Sequence, residues 1–137
     1  YFYVETQDDI TAHEDGDEGW MNLLISAGDT SNSFAGFNYI VNRHPGENGA
    51  TSVEKYSGSD YNWASAGEAE TYVSGNVIVY KIPLSAIGLT ADNVSFSFKV
   101  ADNVQFDMQE ELGKHILDFY ISGDSAPIGR FGYAYNK

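Results

Sequence analysis

Residues 94–100 read VSFSFKV, and this strict alternation of apolar and polar side chains indicates a β-strand. Successive side chains of a strand point to opposite sides of its sheet. One side therefore carries the apolar residues at positions 94, 96, 98 and 100, and the other carries Ser95, Ser97 and Lys99. The stretch predicts a strand that buries one face in a core and leaves the other face polar.

The same alternation recurs on both sides of this stretch. Apolar residues occupy positions 21, 23 and 25, and again positions 117, 119 and 121. Many short strands separated by turn residues indicate a sandwich or a barrel. We predict an all-β, jelly-roll-type β-sandwich of two antiparallel sheets, with one helical turn at 84–88 and a short helix at 107–114. The predicted strands lie near residues 1–6, 20–26, 36–43, 51–56, 69–74, 76–83, 93–101, 115–121 and 130–135.

Length and composition agree with one domain over residues 1–137. Single domains commonly have about 100–150 residues, and this chain has 137, with 10 Tyr, 8 Phe and 14 Gly. Aromatic residues favour strands, and glycine favours turns. The chain opens directly on the strand-like YFYV, without a signal peptide or a membrane-spanning run. We therefore expect a module cut from a longer polypeptide, with one upstream strand missing.

The charge of the chain excludes some partners. The net charge of −13 argues against nucleic acid, which needs clustered Lys and Arg, and against anionic membranes. It is compatible with solubility, with divalent cations or with a neutral polymer. The absence of cysteine excludes disulfides and thiolate metal sites. We expect a monomer.

The densest acidic stretch is HEDGDEG, residues 13–19, which follows Asp8 and Asp9. Ca²⁺ binds carboxylate and carbonyl oxygens, often in loops bent by glycine. The spacing of the twelve-residue, helix-flanked calcium loop is absent here. The stretch is either a solvated acidic turn or a structural Ca²⁺ site, for which the candidate ligands are Asp8, Asp9, Asp15 and Asp17.

Catalysis has little support in the sequence. A glycosidase needs two carboxylates held across the scissile bond, and no such pair emerges from the spacing of the acids. The HExxH and GxSxG motifs are absent, although a Ser/His/Asp triad need not leave a local motif. A haem domain would need Met or His ligands, but Met21 falls on the predicted core face and Met108 in a polar segment. We expect no catalytic residue and no organic cofactor.

Two tryptophans and one arginine are the first candidates for binding. Trp20 follows the acidic stretch, and Trp63 lies in the polar segment SDYNW, residues 59–63. A large aromatic side chain in such a segment either marks a binding surface or folds back onto the core. Arg43 either pairs with Asp118 or Asp102 or grips a ligand with its planar guanidinium.

The polar sides of three predicted strands would form a larger surface if these strands are neighbours. That surface would hold Trp20, Asn22, Lys99, Asp118 and Tyr120. Aromatic faces stack on the C–H side of a sugar ring, while amide, carboxylate and ammonium groups bind its hydroxyls. The alternatives are a sugar-binding face and an ordinary solvated face.

The order of several segments resembles the family 9-like carbohydrate-binding modules of the DOMON-like superfamily, which occur in bacterial, often polysaccharide-degrading, multidomain proteins. The resemblance covers most of the chain, and its last segment is the most persuasive. It implies a jelly-roll sandwich in which two aromatic side chains clamp a sugar, often with bound calcium. The matching segments are YFYVET (1–6), GWMNLLIS (19–26), FAGFNYIVNR (34–43), NVIVYKIPLSAIGL (76–89), FSFKVADN (96–103) and DFYISGDSAPIGRFGYAY (118–135).

The resemblance also implies roles for particular residues. It suggests stacking by Trp20 and Trp63, whereas Phe34 stands where similar sequences have Trp, which predicts weaker binding or a different sugar. It also suggests polar contacts at Asn42, Arg43, Asn103 and Gln105. The remaining candidate ligand-binding residues, which come from the predicted strands, are Tyr39, Lys99, Asp118 and Tyr120.

The expected function is a non-catalytic carbohydrate-binding module, extracellular or at the cell surface, that targets an attached enzyme or surface protein to polysaccharide. The alternative is a calcium-stabilised structural or adhesion β-sandwich that acts as a spacer without binding sugar. Exposure of Trp20 and Trp63 would favour the first, and their burial would favour the second.

Overall fold

The structure, a computed structural model, describes residues 1–103, 124–129 and 131–137. Strands dominate this part of the chain, and two short 3₁₀ turns, Glu47–Gly49 and Leu84–Ile87, interrupt them. The prediction of an all-β protein is therefore confirmed. The strands are β1 (Phe2–Glu5), β2 (Asn22–Ala27), β3 (Tyr39–Pro45), β4 (Ala50–Tyr56), β5 (Trp63–Ser74), β6 (Val77–Lys81), β7 (Ser95–Asp102), β8 (Asp124–Ala126) and β9 (Tyr133–Asn136).

These strands form one curled antiparallel sheet, resembling half of a barrel, in the order β1-β6-β5-β4-β3-β2-β7-β8, and β9 also pairs with β7. The curl brings β1 close to β7. The Phe2 ring lies 5.4 Å from the ring of Phe96 and 5.0 Å from that of Phe98. The described strands thus enclose a core inside one sheet, where two facing sheets were expected.

The inner face of the sheet carries the main core. Leu23, Ile25 and Ile78 are fully buried there, and each such side chain stabilises the fold by roughly 1.5–3 kcal/mol. Tyr80 is also fully buried, and its hydroxyl donates a hydrogen bond of 2.7 Å to the carbonyl of Met21. Burial, together with the negative charge of Asp102, raises the pKa of Tyr80. The apolar side predicted for residues 21–25 and 94–100 does face this core.

A second, smaller core lies on the outer face. Leu24 and Ile40 are fully buried against Phe34 and Phe37, which belong to the segment between β2 and β3. Asn38 anchors this segment because its side chain bonds the amide (2.9 Å) and the carbonyl (2.7 Å) of Ala27 and the carbonyl of Asp29 (3.0 Å). Both faces of β2 are therefore buried, whereas alternation predicted one polar face.

Most predicted strands agree with the structure to within a few residues. The predicted turn after Pro83 is the 3₁₀ turn Leu84–Ile87, which ends at Gly88 with a φ of 70°. Two strands differ: β5 begins at Trp63, six residues before the prediction, and β8 was missed. The small and polar residues of WASAGE and DSA show no alternation of apolar and polar side chains. These segments are strands only because their backbones pair with neighbouring strands. The strand predicted at 115–121 and the helix predicted at 107–114 lie outside the described residues.

Candidate functional site

A groove on the described surface has a volume of about 700 Å³. It lies between the acidic segment before β2, the turn between β3 and β4, and the last residues of β5. Its walls therefore come from three separate parts of the sequence. The lining residues are His13, Asp15, Trp20, Pro45, Gly46, Glu47, Asn48, Gly49, Thr71, Tyr72 and Val73.

The turn after β3 needs glycine to form this wall. Asn48 and Gly49 both have positive φ angles, of 55° and 81°, a conformation that glycine adopts without strain and asparagine tolerates. A Cβ atom on Gly49 would lie 2.6 Å from the carbonyl oxygen of Thr71. The turn therefore packs directly on β5 and holds the Asn48 side chain at the rim of the groove.

Trp20 forms one wall of this groove but offers little of its ring to solvent. It is 8% exposed and belongs to the main core. Its Nε1–H donates a 2.9 Å hydrogen bond to the carbonyl of Thr11, and its ring lies 5.4 Å from that of His13. The prediction of Trp20 on an open face is therefore wrong, because the indole packs inward and satisfies its one donor within the chain.

The groove combines one exposed ring with several polar groups. Tyr72 is 52% exposed, and its neighbour Val73 is also exposed, so the groove is open on the β5 side. Asp15, Glu47 and Asn48 are exposed along the same groove. An aromatic face beside carboxylate and amide groups suits a polyhydroxylated ligand, whose hydroxyls donate and accept hydrogen bonds and whose C–H face stacks on the ring.

Trp63 lies elsewhere, in a cluster of rings on the outer face. It opens β5, where it pairs with Tyr56, and its ring lies 5.4 Å from that of Tyr56, 5.5 Å from Tyr61 and 6.3 Å from Phe34. The indole is half-buried, and its Nε1 atom is buried without a hydrogen-bond partner among the described residues. Trp63 therefore opens a strand where a polar loop was expected, and of the two alternatives it follows the one in which the ring packs back onto a core.

Arg43 is held beside this cluster by carboxylates. Its guanidinium bonds Glu54 at 3.1 Å and also pairs with Glu18. It lies 5.6 Å from the centre of the Tyr61 ring, a cation–π distance. The side chain is 11% exposed. The expected structural pairing of Arg43 with a carboxylate is thus present, with Glu18 and Glu54 as partners in place of Asp102, while Asp118 lies outside the described residues.

Three other predicted contact residues, Tyr39, Asn42 and Lys99, lie inside the fold. Tyr39 is 7% exposed on the inner face, and Asn42 is fully buried. The Asn42 side chain bonds the carbonyls of Trp20 and Met21, and it accepts a 2.8 Å hydrogen bond from the hydroxyl of Thr51. Asn42 therefore ties β3 to the start of β2 and has no exposed group to offer a ligand.

Lys99 is also fully buried, and its Nζ donates to the carbonyl of Pro127. Burial lowers the pKa of Lys99 because the charged ammonium loses its hydration. Asn22, on the same predicted surface, is fully buried as well. The expected open surface of Trp20, Asn22 and Lys99 is therefore not formed, because the Phe34–Phe37 segment and the residues around Pro127 cover that side of the sheet.

Asn103 is not among the residues that line the groove. Asn103 is exposed just after β7. Gln105, Asp118 and Tyr120 lie outside the described residues, so their predicted contacts stay predictions.

The acidic candidates for calcium are spread along the segment before β2. Asp8, Asp9 and Asp15 are exposed, and the Asp17 carboxylate accepts a 2.9 Å hydrogen bond from the amide of Gly19. Across the described parts of the chain, no group of three or more His, Asp or Glu side chains is close enough to hold a metal ion. Calcium at these four aspartates stays a prediction.

The residues that make the groove open were not among the predicted site residues. Tyr72 lies in the segment ETYVS, where it occupies the face opposite to the buried Thr71. Its position in the alternation was a usable signal for exposure. Asn48 and Glu47 left no such signal, because the packing of Gly49 on Thr71 brings them to the groove.

Comparisons of the chain with protein-family models, with curated proteins and with solved structures found no match. The resemblance to family 9-like carbohydrate-binding modules therefore stays a prediction. Within the described residues, every helical segment is too short and too polar to cross a membrane.

Proposed function

We propose that this chain is a non-catalytic carbohydrate-binding module that attaches a larger extracellular or cell-surface protein to polysaccharide. One observation carries the proposal: the groove of about 700 Å³ combines the exposed ring of Tyr72 with the exposed side chains of Asp15, Glu47 and Asn48. A module of this kind raises the local concentration of an attached enzyme at its substrate without chemistry of its own.

The charge of the molecule favours a neutral glycan. The chain carries 20 Asp and Glu against 7 Lys and Arg, and both Asp15 and Glu47 line the groove. A uronic-acid polymer would meet like charges there and would be repelled. We therefore expect neutral polysaccharides to bind more tightly than acidic ones. The jelly-roll arrangement of two sheets and a calcium ion remain parts of the family hypothesis.

A structural spacer is the second candidate. The packing of the two tryptophans favours it, because Trp20 is 8% exposed and Trp63 packs into a ring cluster. This hypothesis predicts that no glycan binds at the groove. In its calcium-stabilised form, it also predicts that a chelator lowers the melting temperature.

Affinity electrophoresis in gels containing soluble neutral polysaccharides tests the proposal. We expect retardation of the wild type, and Tyr72→Ala should weaken binding about tenfold, which corresponds to about 1.4 kcal/mol. Asn48→Gly should weaken it several-fold, because glycine keeps the positive φ of the turn and removes only the amide. Tyr133→Ala is the matched control, since this tyrosine is 50% exposed on β9, which pairs with β7, and it does not line the groove.

Two results would contradict the proposal. The first is that no neutral polysaccharide in the panel retards the wild type, which would leave the spacer hypothesis. The second is that Tyr72→Ala and Tyr133→Ala weaken binding equally, which would place the glycan site outside the groove.

A further inference from the structure

The outer face of β1, β6 and β5 carries a row of exposed rings next to the groove. Tyr3 on β1 and Tyr72 on β5 both pair in register with Val79 on β6, which lies between them. Adjacent strands lie about 4.8 Å apart, so the two tyrosines stand about 10 Å apart on the same face. Tyr3 is 65% exposed and Tyr72 is 52% exposed. We name Tyr3, Val79 and Tyr72 the tyrosine row.

An ion pair between β5 and β6 lies beside the tyrosine row. Glu70 and Lys81 are cross-strand neighbours, and their Oε1 and Nζ atoms lie 2.7 Å apart. The hydroxyl of Tyr72 also donates to Glu70, which restrains the orientation of the ring. These two contacts, with the Lys81 ammonium as the larger cause, hold the pKa of Glu70 below its ordinary value. The row is thus an aromatic surface that has a neutral ion pair beside Tyr72 and the exposed Glu5 two residues after Tyr3 on the same face of β1.

The tyrosine row is continuous with the groove because Tyr72 belongs to both. The ring of Tyr72 lines the groove, while its position in the register places it at one end of the row. A ligand seated in the groove would therefore extend across the row if it is long enough. Among the described residues, nothing covers Tyr3 or Tyr72.

We propose that the tyrosine row is an extended subsite for the interior of a neutral polysaccharide chain, which enters it from the groove. This inference rests on the proposed function and deepens it, because it assigns the site to the interior of a polysaccharide chain. A closed pocket would instead bind the end of such a chain. An extended glycan presents its C–H faces repeatedly along the chain, which suits rings set about 10 Å apart on one face of a sheet. A polyanionic chain would lack this fit, because the row offers no net positive charge.

The test compares a disaccharide with a hexasaccharide of the same neutral polysaccharide, by titration calorimetry of the whole chain. We expect Tyr3→Ala to weaken hexasaccharide binding about fivefold and to leave disaccharide binding unchanged, because the shorter ligand fills only the groove. Asn48→Gly should weaken both ligands. Tyr3→Phe should bind the hexasaccharide as the wild type does, since it keeps the stacking ring.

The controls separate this inference from the proposed function. Tyr133→Ala removes a tyrosine of similar exposure outside the row and should have no effect on either ligand. Circular dichroism should show unchanged folding of Tyr3→Ala, because its side chain is largely in solvent. Light scattering should show a monomer for both the wild type and Tyr3→Ala.

Each adverse result has its own meaning. If Tyr3→Ala binds the hexasaccharide as tightly as the wild type does while Asn48→Gly weakens both ligands, the row is not a subsite and the proposed function stands. If the wild type binds neither ligand nor the parent polymer, both proposals fail. If the wild type is a dimer that Tyr3→Ala dissociates, the row is an interface between copies of this chain, and the subsite is overturned.

Discussion

Two aromatic surfaces lie on the outer side of the same sheet, and they differ in what covers them. Near β2, β3 and the start of β5, the rings of Phe34, Tyr56, Tyr61 and Trp63 pack on one another with centres 4.9–6.3 Å apart. In the tyrosine row, the rings of Tyr3 and Tyr72 lie on either side of Val79 and remain in water.

The difference shows that aromatic content alone does not distinguish a core from a binding surface. The segment between β2 and β3 folds over the first surface and supplies Phe34 and Phe37 to it. No comparable segment of the described chain covers the tyrosine row. Rings that stack on each other stabilise the fold, whereas rings that face water are available to a ligand.

The largest effect is expected where the covered surface is most tightly packed. Phe34→Ala should lower the free energy of unfolding by about 3 kcal/mol, since it removes a ring that is 6% exposed and contacts three others. Tyr3→Ala, the control in the tyrosine row, should change it by no more than about 0.5 kcal/mol. Urea denaturation of both variants measures the contrast. If both variants lost the same free energy of unfolding, the covered surface would contribute no more to stability than the tyrosine row.

An intermediate effect is expected at the anchor of the covering segment. Asn38→Ala should cost about 2 kcal/mol, because three hydrogen bonds to Ala27 and Asp29 are lost and buried backbone groups are left without partners. Hydrogen exchange at the Ala27 amide should accelerate in parallel. In the matched control Asn62→Ala, one exposed 3.0 Å hydrogen bond to Ser59 is removed, and the loss should be below about 1 kcal/mol. An Asn38 variant as stable as the Asn62 variant would show that the segment does not depend on this anchor.

The smallest effect is expected in the tyrosine row and concerns the titration of Glu70. In Tyr72→Phe the pKa of Glu70 should rise part of the way towards its ordinary value, because the hydrogen bond from Tyr72 is lost while the larger effect of Lys81 remains. A carboxyl whose pKa is lowered on folding stabilises the fold above its unfolded-state pKa, and this stability is lost as the pH falls through the folded-state pKa.

Carboxyl NMR titration of the wild type and Tyr72→Phe measures this shift. Lys81→Met is the comparison variant, because it removes the larger of the two causes and should raise the Glu70 pKa further. A Glu70 pKa that is the same in the wild type and in both variants would show that the row carries no organised pairing of Glu70 with Tyr72 and Lys81.

Only part of the candidate site could be predicted from the sequence. The alternation in residues 69–74 places Tyr72 opposite the buried Thr71, so its exposure could have been predicted. The contribution of Asn48 could not, because it depends on the close approach of Gly49 to Thr71, which is distant in the sequence. Trp63 was assigned to a polar loop because residues 59–62 before it are mostly polar. The residues after it are small and polar and show no strand pattern, although they pair with β4.

The sequence by itself determined that the protein is built of strands, and which side of 21–25 and of 94–100 faces the core. These features follow from local alternation, since each side chain of a strand points opposite to the next. Only the tertiary structure decided that Trp20 turns inward, that Lys99 is buried and that Tyr3 and Tyr72 share one open face. Those outcomes depend on strand order and on which segment covers which face, and residues distant in the sequence set both.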